Sequence, residues 1–222
     1  MAIILNIETA TKNCSVSLAK DGQLIALKEL ATEQFSHAEK LHVFIEDILK
    51  ETQLTFKDLH AIAVSQGPGS YTGLRIGVST AKGLCYALSL PLIAVDTLEI
   101  LSQTITIDSG VIIPMIDARR MEVFSAVFDS NKNKIRATKA EIIDENSYKE
   151  ITEVIHLVGD GAPKLPAVLT DDKFVFHHEI LFPSAKEMVS LSFEKYKKSD
   201  FADVAYFEPY YLKDFVITAK KS

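Results

Sequence analysis

The stretch SQGPGSYTGLRIG, residues 65–77, decides how the rest of the sequence is interpreted. It lies between a short apolar run and a segment with helical periodicity, and such loops at helix N-termini often bind phosphate. Its spacing fits neither common nucleotide motif. No Gly-Lys-Ser/Thr occurs, as a P-loop needs, and Thr72 stands where a dinucleotide fingerprint has its third glycine. The loop is either a turn that sets strand-to-helix geometry, with Ser70 or Thr72 as cap, or a binding loop of another kind. The loop residues are Gly67, Pro68, Gly69, Ser70, Tyr71, Thr72 and Gly73.

The segment after this loop, residues 72–89, is predicted to be a helix with two different faces. One face is a continuous apolar stripe for the core, formed by Leu74, Val78, Ala81, Cys85 and Leu88. The other face carries small residues every four positions, flanked by larger ones. Glycine within a helix lowers its stability by about 1 kcal/mol relative to alanine, so the glycine on this face requires a physical explanation. Small side chains let a second helix approach closely, and that helix could belong to this chain or to another subunit. The small residues are Ser79, Gly83 and Ala87, and their neighbours are Ile76, Thr80 and Tyr86.

The order of predicted strands and helices on both sides of this loop indicates an α/β protein with two similar halves. In the first half, Ser36 and Glu39 form a capping box that opens a helix. The strands and helices of the first half follow the order βββαβα, which is that of the ribonuclease H-like unit, the half-domain of actin-like proteins. The predicted strands are 3–9, 14–20, 23–31, 61–66 and 90–96, and the helices are 36–51, 72–89 and 97–103.

The second half repeats the opening strands but contains fewer helices. Its predicted elements are strands 110–120, 122–130, 135–143 and 153–162 and a helix at 184–198. We therefore predict an actin-like (ASKHA) fold, in which two ribonuclease H-like lobes have mixed sheets flanked by helices. The lobes are assigned to residues 1–106 and 107–222, and a late helix could pack back on the first lobe.

Composition and charge narrow the functional classes. The chain has 222 residues, 47% of them hydrophobic, and a formal net charge of −6, which argues against nucleic-acid binding by this chain alone. Its start lacks a basic signal-peptide region, and its longest uncharged apolar run, residues 83–95, is too short for a membrane span. Cys14 and Cys85 are the only cysteines and are interpreted as buried reduced thiols. These features predict a cytoplasmic protein without a membrane association.

Candidate metal ligands and nucleophiles are few. His37 and His42 are five positions apart, about 140° around a helix, and Leu41 stands where an H-x-x-x-H motif has its second histidine. No G-x-S-x-G nucleophile motif occurs. We therefore predict no metal site. Glu8 and Thr9, in the first strand, are a faint remnant of the acidic residue and hydroxyl with which actin-like kinases organise metal and phosphate.

Several segments together resemble the TsaB (YeaZ) family of tRNA threonylcarbamoyladenosine biosynthesis. The residues that carry the resemblance occur in the family's order over nearly the whole chain, and the glycine motif is specific to this family and its catalytic paralogue TsaD. Two departures are Glu8, where an aspartate is usual, and Leu41, which breaks the metal motif of the paralogue. The matching segments are SQGPGSYTGLRIGVSTAKGL (65–84), ILNIETATKNCSVSLAKDG (4–22), HAEKLHVFIEDIL (37–49), PLIAVDTLEIL (91–101), MIDARRMEVFSAVF (115–128) and EPYYLKD (208–214).

This resemblance implies an accessory subunit and not an enzyme. In the family, TsaD transfers threonylcarbamoyl to the adenosine beside the anticodon of tRNAs that read ANN codons, with TsaC making the adenylate. The implied partners are TsaD, the ATPase TsaE through the TsaB–TsaD pair, and a second copy of the chain. Contact with tRNA is expected only indirectly. No cofactor is expected in the isolated chain, although a nucleotide at the partner junction stays open. The implied interface residues are Arg75, Ile76, Ser79, Thr80, Gly83, Tyr86, Ala87, His37 and Lys40.

Two alternatives from other classes stay open at this point. One is an actin-like phosphotransferase, for which LVGDGAPKL (157–165) would be a degraded second phosphate loop. The other is a zinc peptidase, which the incomplete histidine pair disfavours.

Overall fold

The computed structural model describes residues 1–32 and 37–212 and contains two five-stranded mixed sheets. The first sheet has the order β3-β2-β1-β4-β5, with β1, β2 and β3 antiparallel and β4 and β5 parallel to β1. Its elements, with the helices that follow them, are β1 (Ile3–Glu8), β2 (Asn13–Lys20), β3 (Gln23–Ala31), α1 (His37–Glu51), a 3-10 turn (Phe56–Asp58), β4 (Ala61–Gly67), α2 (Tyr71–Leu88), β5 (Leu92–Asp96) and α3 (Thr97–Ser102).

The second sheet repeats this arrangement with fewer helices. Its order is β10-β9-β6-β7-β8, in which β6, β7 and β8 are antiparallel and β9 and β10 run parallel to β6. Its elements are β6 (Val111–Asp117), β7 (Glu122–Asp129), β8 (Lys134–Ile142), β9 (Ile155–Val158), β10 (Phe174–Phe176) and α4 (Met188–Lys197). The predicted actin-like fold with two ribonuclease H-like lobes is confirmed, and β10 is a strand that the sequence pattern did not predict.

Apolar periodicity explains how the helices lie on the first sheet. The predicted stripe of α2 faces the core that α1 shares, and of its members only Leu88 is partly exposed. The opposite face of the sheet is covered by α4, whose Met188 packs against Ile4 and Ile93. Between the two sheets lies α3, because Ile100 packs with the first sheet while Leu98 and Leu101 pack with the second.

Buried hydroxyls fasten the segment that leads into α4 to the first sheet. Ala185 N–H donates to Ser15 Oγ at 2.7 Å, and its carbonyl accepts from Ser17 Oγ at 2.8 Å. Ser184 Oγ donates to Glu29 Oε2 at 2.6 Å. A helix late in the sequence thus packs on the first sheet. A separate ion pair joins Lys134 of β8 to Asp96 of β5 at 2.8 Å, so the second sheet is also tied to the first.

Element boundaries differ slightly from the prediction. The late helix begins at Met188 and not at 184, because residues 184–187 form the turn that bonds to the first sheet. The capping residue Ser36 lies outside the described residues. The lobe boundary between residues 106 and 107 stays a prediction.

The hydroxyl of Ser15 gives a direct test of the attachment of α4. In Ser15→Ala the buried Ala185 N–H loses its acceptor, and an unsatisfied buried donor costs about 1–3 kcal/mol. We expect the free energy of unfolding, measured by urea denaturation, to fall by that amount. Ser190→Ala, an exposed position on α4, should change it little. Equal stability of the two variants would show that this bond does not hold the segment.

Candidate functional site

The glycine loop connects β4 to α2 and contacts the β1–β2 turn, residues 9–12. Ser70 caps α2, since its Oγ accepts from Gly73 N–H at 3.3 Å, and its own N–H donates to Ala10 O at 2.7 Å. The loop and the turn are therefore joined through backbone groups. The loop uses its amides within the protein, as the capping alternative predicts.

Three glycines at four-residue spacing explain how closely the turn approaches α2. A Cβ on Gly69 would lie 2.4 Å from Ala10 O, one on Gly73 2.1 Å from Thr9 O, and one on Gly77 2.2 Å from Thr9 Oγ1. At Gly69 and Gly73 no side chain larger than hydrogen fits without movement of the backbone of the turn, and at Gly77 it would displace the Thr9 hydroxyl. The signature thus serves the packing of the first hairpin against α2.

Glu8 and Thr9 are both buried in this contact. Glu8 Oε1 accepts from Ala10 N–H at 2.6 Å, whereas its Oε2 is buried without a hydrogen-bond partner in the described residues. Burial raises the pKa of Glu8 from 4.5 to about 7, against the opposing hydrogen bonds from Ala10 and Ser65. Thr9 Oγ1 donates to Gly73 O at 2.9 Å. Thr9 holds the turn against α2, Glu8 bonds within the turn, and neither side chain faces solvent.

The second glycine turn, LVGDGAPKL, has a similar packing role. Gly159 has a φ of 104°, and a Cβ there would lie 2.1 Å from Met115 O. Asp160 Oδ1 accepts from Asp117 N–H at 2.9 Å, which ties this turn to the end of β6. The residues considered for a second phosphate loop therefore contact the β6–β7 hairpin.

The exposed faces of α1 and α2 form one surface, which we call the α1–α2 surface. Gly83 is exposed, and a Cβ on it would meet no atom within 4 Å. Tyr86 beside it is 86% exposed, and Val43 of α1 is 47% exposed. Of the residues expected here, Arg75, Ser79, Gly83, Tyr86 and Ala87 are exposed, and Ile76, Thr80 and Lys40 are half-buried.

His37 does not belong to this surface, which corrects its assignment to the interface. It is 1% exposed, and its Nε2 lies 2.7 Å from Thr11 O. Burial lowers its pKa, which favours the neutral ring. Within residues 1–32 and 37–212 no group of three His, Cys, Asp or Glu side chains is arranged to hold a metal ion. Cys14 and Cys85 are buried free thiols.

Residues 201–212, which we call the C-terminal strap, run along α2. Tyr210 N–H donates to Gln66 O at 2.7 Å, and Lys82 Nζ donates to Phe207 O at 2.8 Å. The ring of Tyr211 contacts that of Tyr71 at a centroid distance of 5.0 Å. No signal in the sequence indicates where these aromatic residues pack. The residues after 212 lie outside the described part of the chain.

Two polar contacts in the second lobe were not predicted. His156 Nδ1 and His177 Nε2 lie 3.0 Å apart. Tyr148 Oη donates to Glu141 Oε1 at 2.9 Å, and Arg136 pairs with the same carboxylate. Because these partners lie 5 to 21 residues apart and belong to no recognised motif, the sequence alone did not indicate them.

Comparison with known proteins gives the family. The model of a family described as TsaD, tRNA N6-adenosine threonylcarbamoyltransferase, matches residues 29–220. The tRNA threonylcarbamoyladenosine biosynthesis protein TsaB of Escherichia coli K12 is 32% identical over 98% of this chain and 97% of its own. The chain belongs to the TsaB (YeaZ) family of tRNA threonylcarbamoyladenosine biosynthesis proteins. TsaB of Haemophilus influenzae is similar as well, with 29% identity over 98% of this chain and 96% of that protein.

Solved structures agree with this TsaB-family fold. YeaZ from Pseudomonas aeruginosa superposes with a TM-score of 0.83 at 24% identity, covering 96% of this chain and 100% of that one. At that identity the likeness concerns the fold alone. In the part of the chain that the structure describes, no helix combines the length and the apolar character that crossing a bilayer requires.

Two glycines of α2 should respond in opposite ways to the same substitution. Gly77→Ala places a methyl group against Thr9 Oγ1 and should lower the free energy of unfolding by about 1–3 kcal/mol. Gly83→Ala meets open space and should raise it by up to about 1 kcal/mol through helix propensity. Chemical denaturation of both variants checks this. Adding Thr9→Ala to Gly77→Ala should recover part of the loss; no recovery would separate the loss from this contact.

The buried carboxyl of Glu8 should make stability depend on pH. The folded-state pKa of about 7 lies above the ordinary 4.5, so the folded protein holds the proton more tightly than the unfolded chain. Stability is therefore greatest below pH 4.5 for this group and falls by roughly 3 kcal/mol as pH rises to 7. Glu8→Gln, which cannot ionise, should gain stability relative to the native chain at pH 8 compared with pH 5. Parallel stability curves for the two proteins between pH 5 and pH 8 would contradict this.

Proposed function

We propose that this TsaB-family chain is a non-catalytic partner subunit of TsaD. In this role it binds TsaD through the α1–α2 surface and supports the transfer of threonylcarbamoyl to the adenosine beside the anticodon of tRNAs that read ANN codons. The observation that carries the proposal is the exposed row of small residues on α2, in which Gly83 meets no atom within 4 Å.

Helix packing explains why such a row suits a partner. The backbone of a second helix can approach closely where side chains are small, because ridges then fit into shallow grooves. Ser79, Gly83 and Ala87 are exposed while the stripe on the other side of α2 is buried, so the fold itself does not need them to be small. Glycine at position 83 therefore lowers the stability of the folded chain by up to about 1 kcal/mol, and we infer that it is kept for binding.

Larger side chains beside the row supply contact energy. Tyr86 is 86% exposed and Val43 is 47% exposed, and aromatic residues are frequent binding hot spots. Arg75 lies over the ring of Tyr71, with its guanidinium carbon 5.3 Å from the ring centroid, so it is already ordered for a partner. Ordering before binding lowers the entropy cost of association.

The placement of Glu8 and Thr9 supports a non-catalytic role. Both side chains are buried and bond to the protein backbone, Glu8 to Ala10 N–H of the turn and Thr9 to Gly73 O of α2. A residue that organises a metal or a phosphate must present its oxygen atoms to the ligand, and these do not. We propose that the catalytic groups come from TsaD.

The remaining partners follow from the same surface. A second copy of the chain can occupy the α1–α2 surface when TsaD is absent, and TsaE would join through the TsaB–TsaD pair. The proposed place of action is the cytoplasm, where tRNA is modified.

The test is a steric block at Gly83. Gly83→Leu adds a side chain that points away from the core, so the melting temperature should stay within a few degrees of that of the native chain. Affinity for TsaD, measured by calorimetry, should fall tenfold or more, because overpacking a close contact costs about 1–3 kcal/mol.

Ser190→Leu is the matched control. It adds a leucine to an exposed position of α4, on the opposite face of the first sheet, and should leave TsaD affinity unchanged. Full TsaD binding by a folded Gly83→Leu protein would place the interface elsewhere.

A further inference from the structure

The turn between β6 and β7 holds two arginines in an uncommon backbone conformation. Arg119 and Arg120 have φ values of 75° and 52°. Among the described residues they are the only two sequence neighbours that are both non-glycine and both at positive φ. Asn and Gly are the ordinary residues for such positions, since other side chains clash with the backbone there. Strain of this kind in an exposed turn points to a use for the side chains that it presents.

The rest of the turn is held by backbone contacts that leave both guanidinium groups free to bind. Arg119 N–H donates to Asp117 Oδ1 at 3.1 Å, and Lys164 forms an ion pair with the same carboxylate. Arg119 and Arg120 are exposed, and neither side chain takes part in an ion pair within residues 1–32 and 37–212. The acidic neighbour Asp117 is therefore neutralised by Lys164, while the two arginines keep their charge.

A second contact fixes the start of the β6–β7 turn from the glycine turn at 157–165. Asp160 Oδ1 accepts from Asp117 N–H at 2.9 Å. The backbone at the start of the turn is thereby held in place, while Arg119 and Arg120 stay exposed.

We propose that Arg119 and Arg120 bind the sugar-phosphate backbone of tRNA when the chain is in complex with TsaD. This contact is direct, unlike the indirect one that the family resemblance implies. The proposal rests on the proposed function, because the complex brings the tRNA. Arginine offers phosphate a planar fork of donors, and exposed cations suit an extended polyanion. A free nucleotide would instead need an enclosed pocket for its base.

The small contribution that these contacts make to tRNA affinity agrees with the net charge of −6 on the chain. Each phosphate contact adds about 0.7–0.9 to the slope of log affinity against log salt concentration. Two contacts alone give weak binding, which is the behaviour expected of the isolated chain. In the complex they add to the contacts that TsaD makes, so their effect is measurable there.

The test removes the two arginines without straining the turn. In Arg119→Asn/Arg120→Gly the new residues are the ordinary ones at positive φ, so the melting temperature should be unchanged or higher. The complex of TsaD with this variant should bind unmodified tRNA with a salt slope smaller by about 1.4–1.8. Between 0.05 and 0.2 M salt, the native complex should therefore lose about tenfold more affinity than the variant complex.

The control is Lys20→Asn/Lys57→Asn, which removes two exposed cations of the first lobe. Lys20 pairs with Ile3 at the start of β1, and Lys57 lies beside Lys20 in one depression. This control complex should keep the native salt slope. A slope reduced equally by both variants would mean a general charge effect and would overturn the assignment.

Three further results decide the inference. A native salt slope for the arginine variant, in an intact complex with TsaD, would overturn it and leave the proposed function standing. Loss of TsaD binding by the arginine variant, but not by the control, would also overturn it. So would weaker binding of ATP by the arginine variant's complex with its tRNA affinity unchanged. Failure of the native chain to bind TsaD would overturn the proposed function, and this inference with it.

Discussion

The close contact between the β1–β2 turn and α2 is the constraint on which the first lobe depends. The backbone of Thr9 and Ala10 and the hydroxyl of Thr9 lie so near the glycine loop and α2 that only hydrogen fits at Gly69, Gly73 and Gly77. That contact fixes the direction in which α2 leaves β4, and hence which face of α2 is buried and which is exposed. It also encloses Glu8, whose charge is disfavoured there. Packing within the first lobe and the shape of its outer surface therefore have one origin.

Much of the fold was readable from local patterns. Apolar alternation and helical periodicity report which face of an element is buried, and this information is contained within each segment. The stripe of α2 and the repeated order of strands followed from it, as did the two lobes. The short β10 did not, because three residues give too little periodicity to distinguish a strand from a loop.

The candidate site was predictable only in part, because its contacts join distant segments. The small residues of α2 could be recognised from their spacing. Nothing in the sequence near His37 indicates that its ring lies within hydrogen-bond distance of Thr11 O. The reason for the glycines became clear only when Thr9 was placed beside them, more than sixty residues away in sequence. The backbone conformation of Arg119 and Arg120 was likewise invisible in a segment that otherwise suggests a plain hairpin.

The C-terminal strap has a consequence for how the protein matures during synthesis. Ala202, Val204 and Phe207 pack against the core that α1, α2 and the first sheet share, and Tyr210 bonds to Gln66 just before the glycine loop. A ribosome makes these residues after nearly all the rest of the described chain, while domains begin to fold from the N-terminus. Part of the apolar core beside α2 therefore stays uncovered in the growing chain until residues 201–212 have been made. The first lobe completes this side of α2 only after the whole second sheet has been synthesised.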